Sequence, residues 1–411
     1  MKIHQQYIFI ILLLFCSNIN AQNLPSLLLE KNINATFSIL AYDDEEKEWG
    51  IAVATNNIYV GNSTIYIKPG IGAFSVIAET EPLYAVNGFK QLENGNTIKN
   101  AINFSKAKDS DSHYRQVAGI DAFGNTYAFS GDALKYWKGT NGFLYGKNYV
   151  VLGNQLGDSV LTIMADTFEN LGGTLAQRLL ASLLAGQRAG GQITGKLSTA
   201  LVVKGTNNEW YNQIDLRVDY SKTPFQDLQK LLNYHEGRIR INQTLYAIRE
   251  NNRSRATRLL EEAESLLKGW DGMYSKIVVA YLLMGNKEKA VTVIKKALAE
   301  NSKWKEILPA FYYLKEYDGL KQEINEELFS LKDWNNAIHL LLQIREYKKC
   351  IDLAHKRIKI NPESSYTHYL LGKAYLEIHN SKDAKIHLEK AILLDPSNVE
   401  AKRELSSLSK N

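Results

Sequence analysis

Ala35-Thr36-Phe37-Ser38-Ile39-Leu40-Ala41-Tyr42 and its return, Gly50-Ile51-Ala52-Val53-Ala54-Thr55-Asn56, decide how this chain is read. Both runs are apolar and rich in strand-forming residues. The charged segment Asp43-Asp44-Glu45-Glu46-Lys47-Glu48-Trp49 between them suits a solvated hairpin turn. Thr36 opens the first strand. If a cut fell just before it, one residue would carry both a hydroxyl and a free α-amine. That pairing supplies a nucleophile and its base without any histidine. An α-amine has a pKa of about 7.7–8.0, so a useful fraction is neutral near pH 7 and able to take the hydroxyl proton. The competing explanation is an ordinary strand residue, since threonine favours strands.

The sequence upstream reads as a removable leader. Lys2 supplies the positive end, and Tyr7 to Phe15 is an apolar run too short to span a membrane. Ser17 to Ala21 offers a cleavage region, giving a signal peptide over 1–21 and a linker or propeptide over 22–35. The rival is a lipoprotein acylated at Cys16, against which stands the bulky Phe15. The expected location is outside the cytoplasm, in the periplasm or cell envelope, with no membrane span once the leader is removed. Exposing Thr36 then needs a second cut.

The chain has 411 residues, 45% of them hydrophobic and 23% charged, enough for two or three globular domains. Its net charge of +5 is small for this length, and no Lys/Arg run reads as a nucleic-acid footprint, so no nucleic-acid partner is expected. Of the two cysteines one lies in the leader, leaving Cys350 as a lone thiol on an apolar helical face, where burial is its expected role.

From Thr36 to His235 the chain alternates between groups of strands and groups of helices. Strands are expected at Tyr66 to Ile77, Arg115 to Asp121, Thr126 to Phe129, Tyr149 to Leu152, Ser198 to Val203 and Ile214 to Val218. Helices are expected over Tyr84 to Phe104 with a break at Asn94-Gly95-Asn96, over Ser159 to Ala189 with a break near Gly172-Gly173, and near Phe225 to Asn233. This order gives an α+β class with segregated layers, and two stacked antiparallel sheets covered by helices accommodate it as a four-layer αββα domain over 36–235.

Several pieces in sequence, among them Thr36-Phe37-Ser38-Ile39, Gly50-Ile51-Ala52-Val53-Ala54, Gly70-Ile71-Gly72-Ala73, Arg115-Gln116-Val117, Ser130-Gly131, Gly153-Asn154-Gln155-Leu156, Gly190-Gly191 and Asp215-Leu216-Arg217-Val218-Asp219, resemble the bacterial domain-of-unknown-function family number 1028. That resemblance implies the N-terminal-nucleophile hydrolase fold. It implies an amide or peptide substrate, with cell-wall amides suggested by the peptidoglycan-binding modules some relatives carry. It also implies a role for Lys68, because a lysine at a similar place in such hydrolases lowers the nucleophile's proton affinity. The catalytic candidates are therefore Thr36 and Lys68, with an oxyanion donor in Lys68 to Gly72. Asp121, Ser130 and Asn154 end strands or turns and are candidates to line the same cleft. The family often has Thr-Gln where this chain has Val76-Ile77, and Asp where it has Gln192. Those departures leave open a degenerate domain that binds without catalysis.

Other chemistries find little support. Between Thr36 and Tyr234 there is no cysteine, and His113 stands alone among Asp109, Ser110 and Asp111, as a solvated loop histidine would. No His-Glu-x-x-His, Cys-x-x-Cys or Gly-x-Ser-x-Gly pattern occurs, so no metal or cofactor is expected.

From 236 to 411 the composition turns to Leu, Ala, Lys and Glu at helical spacing. His368, Leu371, Gly372, Tyr375, Ala384, Leu388, Ala391 and Pro396 follow the two-helix tetratricopeptide pattern. Ala256 to Ala290 and Cys350 to Ala384 are both steps of 34 (290 − 256; 384 − 350), the repeat length of that architecture. A shortened repeat near Leu320 fills the longer gap between Ala290 and Cys350. Such an all-α solenoid presents a curved surface for a protein or peptide. A docked envelope partner, a homodimer and a shield over the cleft are equally open. His368, His379 and His387 are expected to serve packing or the surface.

Overall fold

Alternation along the opening strand organises the first unit. The computed structural model describes residues 35–209, 213–311, 313 and 325–408. The expected leader with Cys16, residues 22–34 of the expected linker or propeptide and the expected short repeat near Leu320 lie outside them. Strand β1 (Thr36–Asp43) is buried on both faces. Phe37, Ile39 and Ala41 face one layer, Leu40 and Tyr42 the other, as the two-residue period of a strand requires. The same period puts Thr36 and Ser38 on the Leu40 side, where the Ser38 hydroxyl lies 2.9 Å from that of Ser75 in a second sheet.

β1 is central in an antiparallel six-stranded sheet. It pairs with β2 (Glu48–Thr55), which sets Thr36 opposite Thr55, and with β8 (Tyr149–Leu156), which sets Thr36 opposite Asn154. The sheet is completed by β9 (Ser198–Gly205) and β10 (Ile214–Val218) beyond β2, and by β7 (Thr140–Gly146) beyond β8. β7 is not apparent in the sequence. It is a half-exposed edge strand bounded by glycine, with little apolar alternation to reveal it.

The second sheet runs in the order β3 (Ile65–Lys68), β4 (Gly72–Ala78), β5 (Arg115–Asp121), β6 (Thr126–Ser130), all antiparallel. Leu40, Trp49, Ile51 and Val53 pack between the sheets against Ala73, Ile77, Ala118 and Ile120. Helices α1 (Leu83–Glu93) and α2 (Ile98–Lys106) cover the outer face of the smaller sheet, burying Tyr84, Ile98 and Ile102 against Phe74, Val76 and Val117. Helices α3 (Val160–Asn170) and α4 (Leu175–Arg188) cover the larger sheet, with Met164, Leu179 and Leu183 over Phe37 and Ile39. This is the four-layer αββα arrangement. Each fully buried core side chain such as Phe37 contributes about 1.5–3 kcal/mol.

The chain divides into two compact units after Leu232. α5 (Pro224–Arg249) is one helix where the sequence suggested a short one ending near Asn233. Gly237 does not break it. A Cβ there would come within 2.7 Å of Leu267 Cγ, so this glycine serves close packing.

The second unit is built of helical hairpins. After α5 come α6 (Arg253–Leu266), α7 (Tyr274–Leu283), α8 (Lys287–Glu300), α9 (Trp304–Phe311), α10 (Leu331–Gln343), α11 (Tyr347–Ile360), α12 (Ser365–Glu377), α13 (Ser381–Leu394) and α14 (Val399–Leu408). Ala256, Ala290, Cys350 and Ala384 are all fully buried, on α6, α8, α11 and α13. Small side chains recur there because a hairpin's two helices approach closely. At Gly372 a Cβ would lie 2.8 Å from Leu388 Cγ. Asn252, Asn286 and Asn380 cap α6, α8 and α13, each accepting from a backbone N–H in the first turn. Among the described residues no helix is long and apolar enough to cross a membrane.

Candidate functional site

Thr36 begins a central strand, so polar groups from its two neighbours converge on it. From β8, Asn154 Oδ1 accepts the Thr36 backbone N–H at 3.1 Å. From β2, Thr55 Oγ1 lies 3.1 Å from Thr36 Oγ1 and donates to the Ala35 carbonyl at 2.8 Å. A hydroxyl has one proton, and Thr55 uses its own on Ala35, so Thr36 is the donor in the Thr36–Thr55 bond.

The Ala35 carbonyl collects three donors. Besides the Thr55 hydroxyl it accepts from Asn56 N at 3.3 Å and from Gln192 Nε2. Ala35 N–H in turn donates to Asn56 Oδ1 at 2.8 Å. The peptide bond before Thr36 is thus gripped on both sides within a site where Ala35 is fully buried and Thr36 is 8% exposed. Gln192 arrives by local geometry. The Gly190-Gly191 pair after α4 takes positive φ values of 118° and 52°, which glycine tolerates. That turn delivers Gln192 to a bridge with Leu156 at the end of β8. Gln192 Oε1 is buried without a hydrogen-bond partner. An aspartate at this position would set a carboxylate against the Ala35 oxygen, whereas the amide presents a donor.

Asn154 is itself held. Its Nδ2 donates to Gln116 Oε1 at 3.1 Å, and Gln116 Nε2 reaches Ser130 Oγ, Gly142 O and Gly153 O at 2.9–3.0 Å. Gln116 is fully buried and follows Arg115, whose guanidinium binds Asp109 at 2.9 Å and the Glu79 carbonyl at 3.1 Å. Burial works to raise the Asp109 carboxyl, but the Arg115 guanidinium outweighs it and holds the carboxyl below its ordinary value. Beside Thr36 lies a polar cavity of about 140 Å³, lined in part by Thr55, Ile77, Glu79, Thr80 and Trp137. That is room for a small polar group or a few waters.

The structure joins Asn154 to Thr36 directly, links Ser130 to Asn154 only through Gln116, and leaves Lys68 and Asp121 apart. The cavity beside Thr36 includes Ile77 and Ala78, at one end of β4. Lys68 pairs with Gly72, at the other end. Six residues at about 3.3 Å each separate the two ends by roughly 20 Å. There Lys68 pairs with Glu93, both side chains being substantially exposed. The expected oxyanion donor in Lys68 to Gly72 lies at that distant end too, and the donors that do reach a carbonyl come from Thr55, Asn56 and Gln192. Asp121 closes the β5–β6 turn, accepting from Phe123 N and Asn125 N at 2.9 Å. His113 is exposed, with its ring 4.1 Å from that of Tyr114. Among the described residues no group of three His, Cys, Asp or Glu side chains could hold a metal ion.

Sequence reasoning missed Thr55, Asn56 and Gln116 as site residues. Their signal was present: a Thr-Asn pair ends the return strand, and a glutamine interrupts the apolar face of β5.

A buried threonine at the head of the central strand of an αββα domain, in a chain that continues into helical-hairpin repeats, defines the class of this protein. The chain belongs to the family described as "Family of unknown function (DUF1028)", which matches residues 36–228. Tetratricopeptide repeats match residues 272–303 and 365–398. A solved relative, protein SPO2555 from Silicibacter pomeroyi of the same family, is 32% identical over 48% of this chain and 84% of its own, with a TM-score of 0.44. MamA from Desulfovibrio magneticus RS-1 is 19% identical over 43% of this chain and 84% of its own, with a TM-score of 0.20. PilF of Pseudomonas aeruginosa is 17% identical over 43% and 69%, with a TM-score of 0.20. No curated protein matches.

Proposed function

We propose that the first unit is an amide hydrolase of the N-terminal-nucleophile type, which creates its own N-terminus by cutting between Ala35 and Thr36. The observation that carries this reading is the donor cradle on the Ala35 carbonyl, one hydroxyl away from Thr36 Oγ1. As Oγ1 attacks the Ala35 carbon, its proton passes to Thr55 Oγ1, and the Thr55 proton passes to the developing oxyanion. Asn56 N and Gln192 Nε2 stabilise the charge that develops on that oxygen before the proton arrives. Collapse breaks the C–N bond, returns the proton to the Thr36 nitrogen and leaves an ester on Oγ1. Water then hydrolyses that ester, restoring the hydroxyl and giving Ala35 a carboxylate. The freed α-amine, held by Asn154, becomes the base for the same chemistry on an external amide.

The second unit supplies a binding surface for a protein or peptide, and the leader sends the chain to the cell envelope. Intact mass and N-terminal sequencing of the full-length protein recovered from envelope fractions test the whole reading. A start at Thr36, lost in Thr36→Ala, is the expected result. The second reading is a binding scaffold without catalysis, favoured by the distance of Lys68 from Thr36. It predicts a chain whose N-terminus always precedes Thr36.

A further inference from the structure

Ala35 occupies the place an external acyl residue must take, and we infer from its fit that the substrate is a peptide or amide with a small, alanine-sized L-residue on the acyl side of the cut bond. This inference rests on Thr36 being the nucleophile. Self-cleavage and substrate hydrolysis pass through the same kind of ester on Thr36 Oγ1. The carbonyl oxygen of either ester must therefore find the same donors, Thr55 Oγ1, Asn56 N and Gln192 Nε2.

Ala35 shows what else that subsite asks for. Its N–H donates to Asn56 Oδ1 at 2.8 Å, so the acyl residue carries nitrogen with a hydrogen on its α-carbon. Asn56 thus contacts both ends of the residue, its side chain accepting from the nitrogen and its backbone donating to the carbonyl. This two-point grip fixes the α-carbon and the direction of its side chain, which selects an L-amino acid over a simple fatty acyl group. The side chain itself is a methyl group in a fully buried position. A branched or aromatic side chain there would overfill a packed interior. The small cavity beside Thr36, about 140 Å³ with hydroxyl-rich walls, suits a compact polar leaving side better than a bulky apolar one.

On the acyl-enzyme the balance is simple. The Thr36 oxygen bonds the acyl carbon, the amide C–N bond breaks, and the amine leaves with the hydroxyl proton. Water completes the hydrolysis, giving a carboxylate and the free hydroxyl.

The test uses the full-length chain after it has cleaved itself, with N-acetyl-aminoacyl 4-nitroanilides of L-Ala, Gly, L-Ser, L-Leu, L-Phe and D-Ala as probes. L-Ala, Gly and L-Ser are expected to be hydrolysed at least tenfold faster than L-Leu, L-Phe and D-Ala. Binding of acetyl-Ile-Asn-Ala and acetyl-Ile-Asn-Phe to the same protein, followed by calorimetry, gives a readout without turnover, and only the alanine peptide is expected to bind. Equal or faster turnover of the Leu or Phe anilide overturns the inference while leaving Thr36 as nucleophile. Binding of neither peptide, or of the Phe peptide alone, overturns it as well. A chain that never cleaves before Thr36 removes the nucleophile reading first, and the inference falls with it.

Discussion

Thr55→Val is the sharpest perturbation this site offers. Valine keeps the β-branched shape that β2 needs, so the strand is retained. The lost hydroxyl does two things in the proposed reaction: it accepts from Thr36 Oγ1 and donates to the Ala35 carbonyl. In the ground state the Ala35 oxygen still has Asn56 N and Gln192 Nε2, so no buried carbonyl is orphaned. The Thr36 hydroxyl does lose its acceptor, at about 1–3 kcal/mol for an unsatisfied buried donor. The new valine methyl, in a position 2% exposed, returns about 0.8 kcal/mol. The net loss of stability is therefore about 0–2 kcal/mol, small enough to leave the domain folded. In the transition state the loss is larger, because removing one preorganised oxyanion donor costs about 100- to 1000-fold in rate. The assay is cell-free synthesis of the full-length chain, with timed samples followed by intact mass. Cleavage before Thr36 is expected to slow at least 100-fold in Thr55→Val, to persist in Thr36→Ser and to vanish in Thr36→Ala. If Thr55→Val cleaves within threefold of the unmodified chain while Thr36→Ala does not cleave, the relay through Thr55 is wrong.

Three further outcomes follow from the same geometry. Lys68→Ala removes only an exposed pair with Glu93, so the cleavage rate should change less than twofold and stability by less than about 1 kcal/mol in urea titration; a tenfold loss of rate would return Lys68 to the site. In the second unit, burial first, and then neighbouring His368 and His355, hold His387 down to about 4. Its folded value lies below the unfolded one of about 6.5, so its contribution is complete above that pH and is lost as the pH falls toward 4. After discounting for solvent screening the loss is about 1–2 kcal/mol, and His387→Phe should flatten the acid limb of a melting-temperature profile. Burial pushes the Cys350 thiol up to about 12, and its Sγ donates to Ile338 O at 3.4 Å. It should resist a thiol reagent in the native protein and react fully in denaturant.

Much of this molecule can be read from the order of its residues, because short-range rules govern strands, turns and helical repeats. The alternation in Phe37-Ser38-Ile39-Leu40-Ala41-Tyr42 already says that β1 has two distinct faces. The 34-residue steps through Ala256, Ala290, Cys350 and Ala384 mark positions that all prove buried in helical hairpins. Thr36 was legible as a candidate because it opens that strand, and Asn154 because it ends another. What the order of residues could not supply is distance across a sheet. Asp121 looked equivalent to Asn154 as a strand-end residue, and Lys68 was named from the family resemblance, yet strand direction carries both to the opposite end of the layers. Thr55, Asn56 and Gln192 are ordinary polar residues until antiparallel register sets Thr55 opposite Thr36 and the Gly190-Gly191 turn brings Gln192 back to Ala35. Period and propensity are properties of neighbours along the chain. The cradle around the Ala35–Thr36 bond depends on register between strands far apart in sequence, and only the folded sheet fixes that.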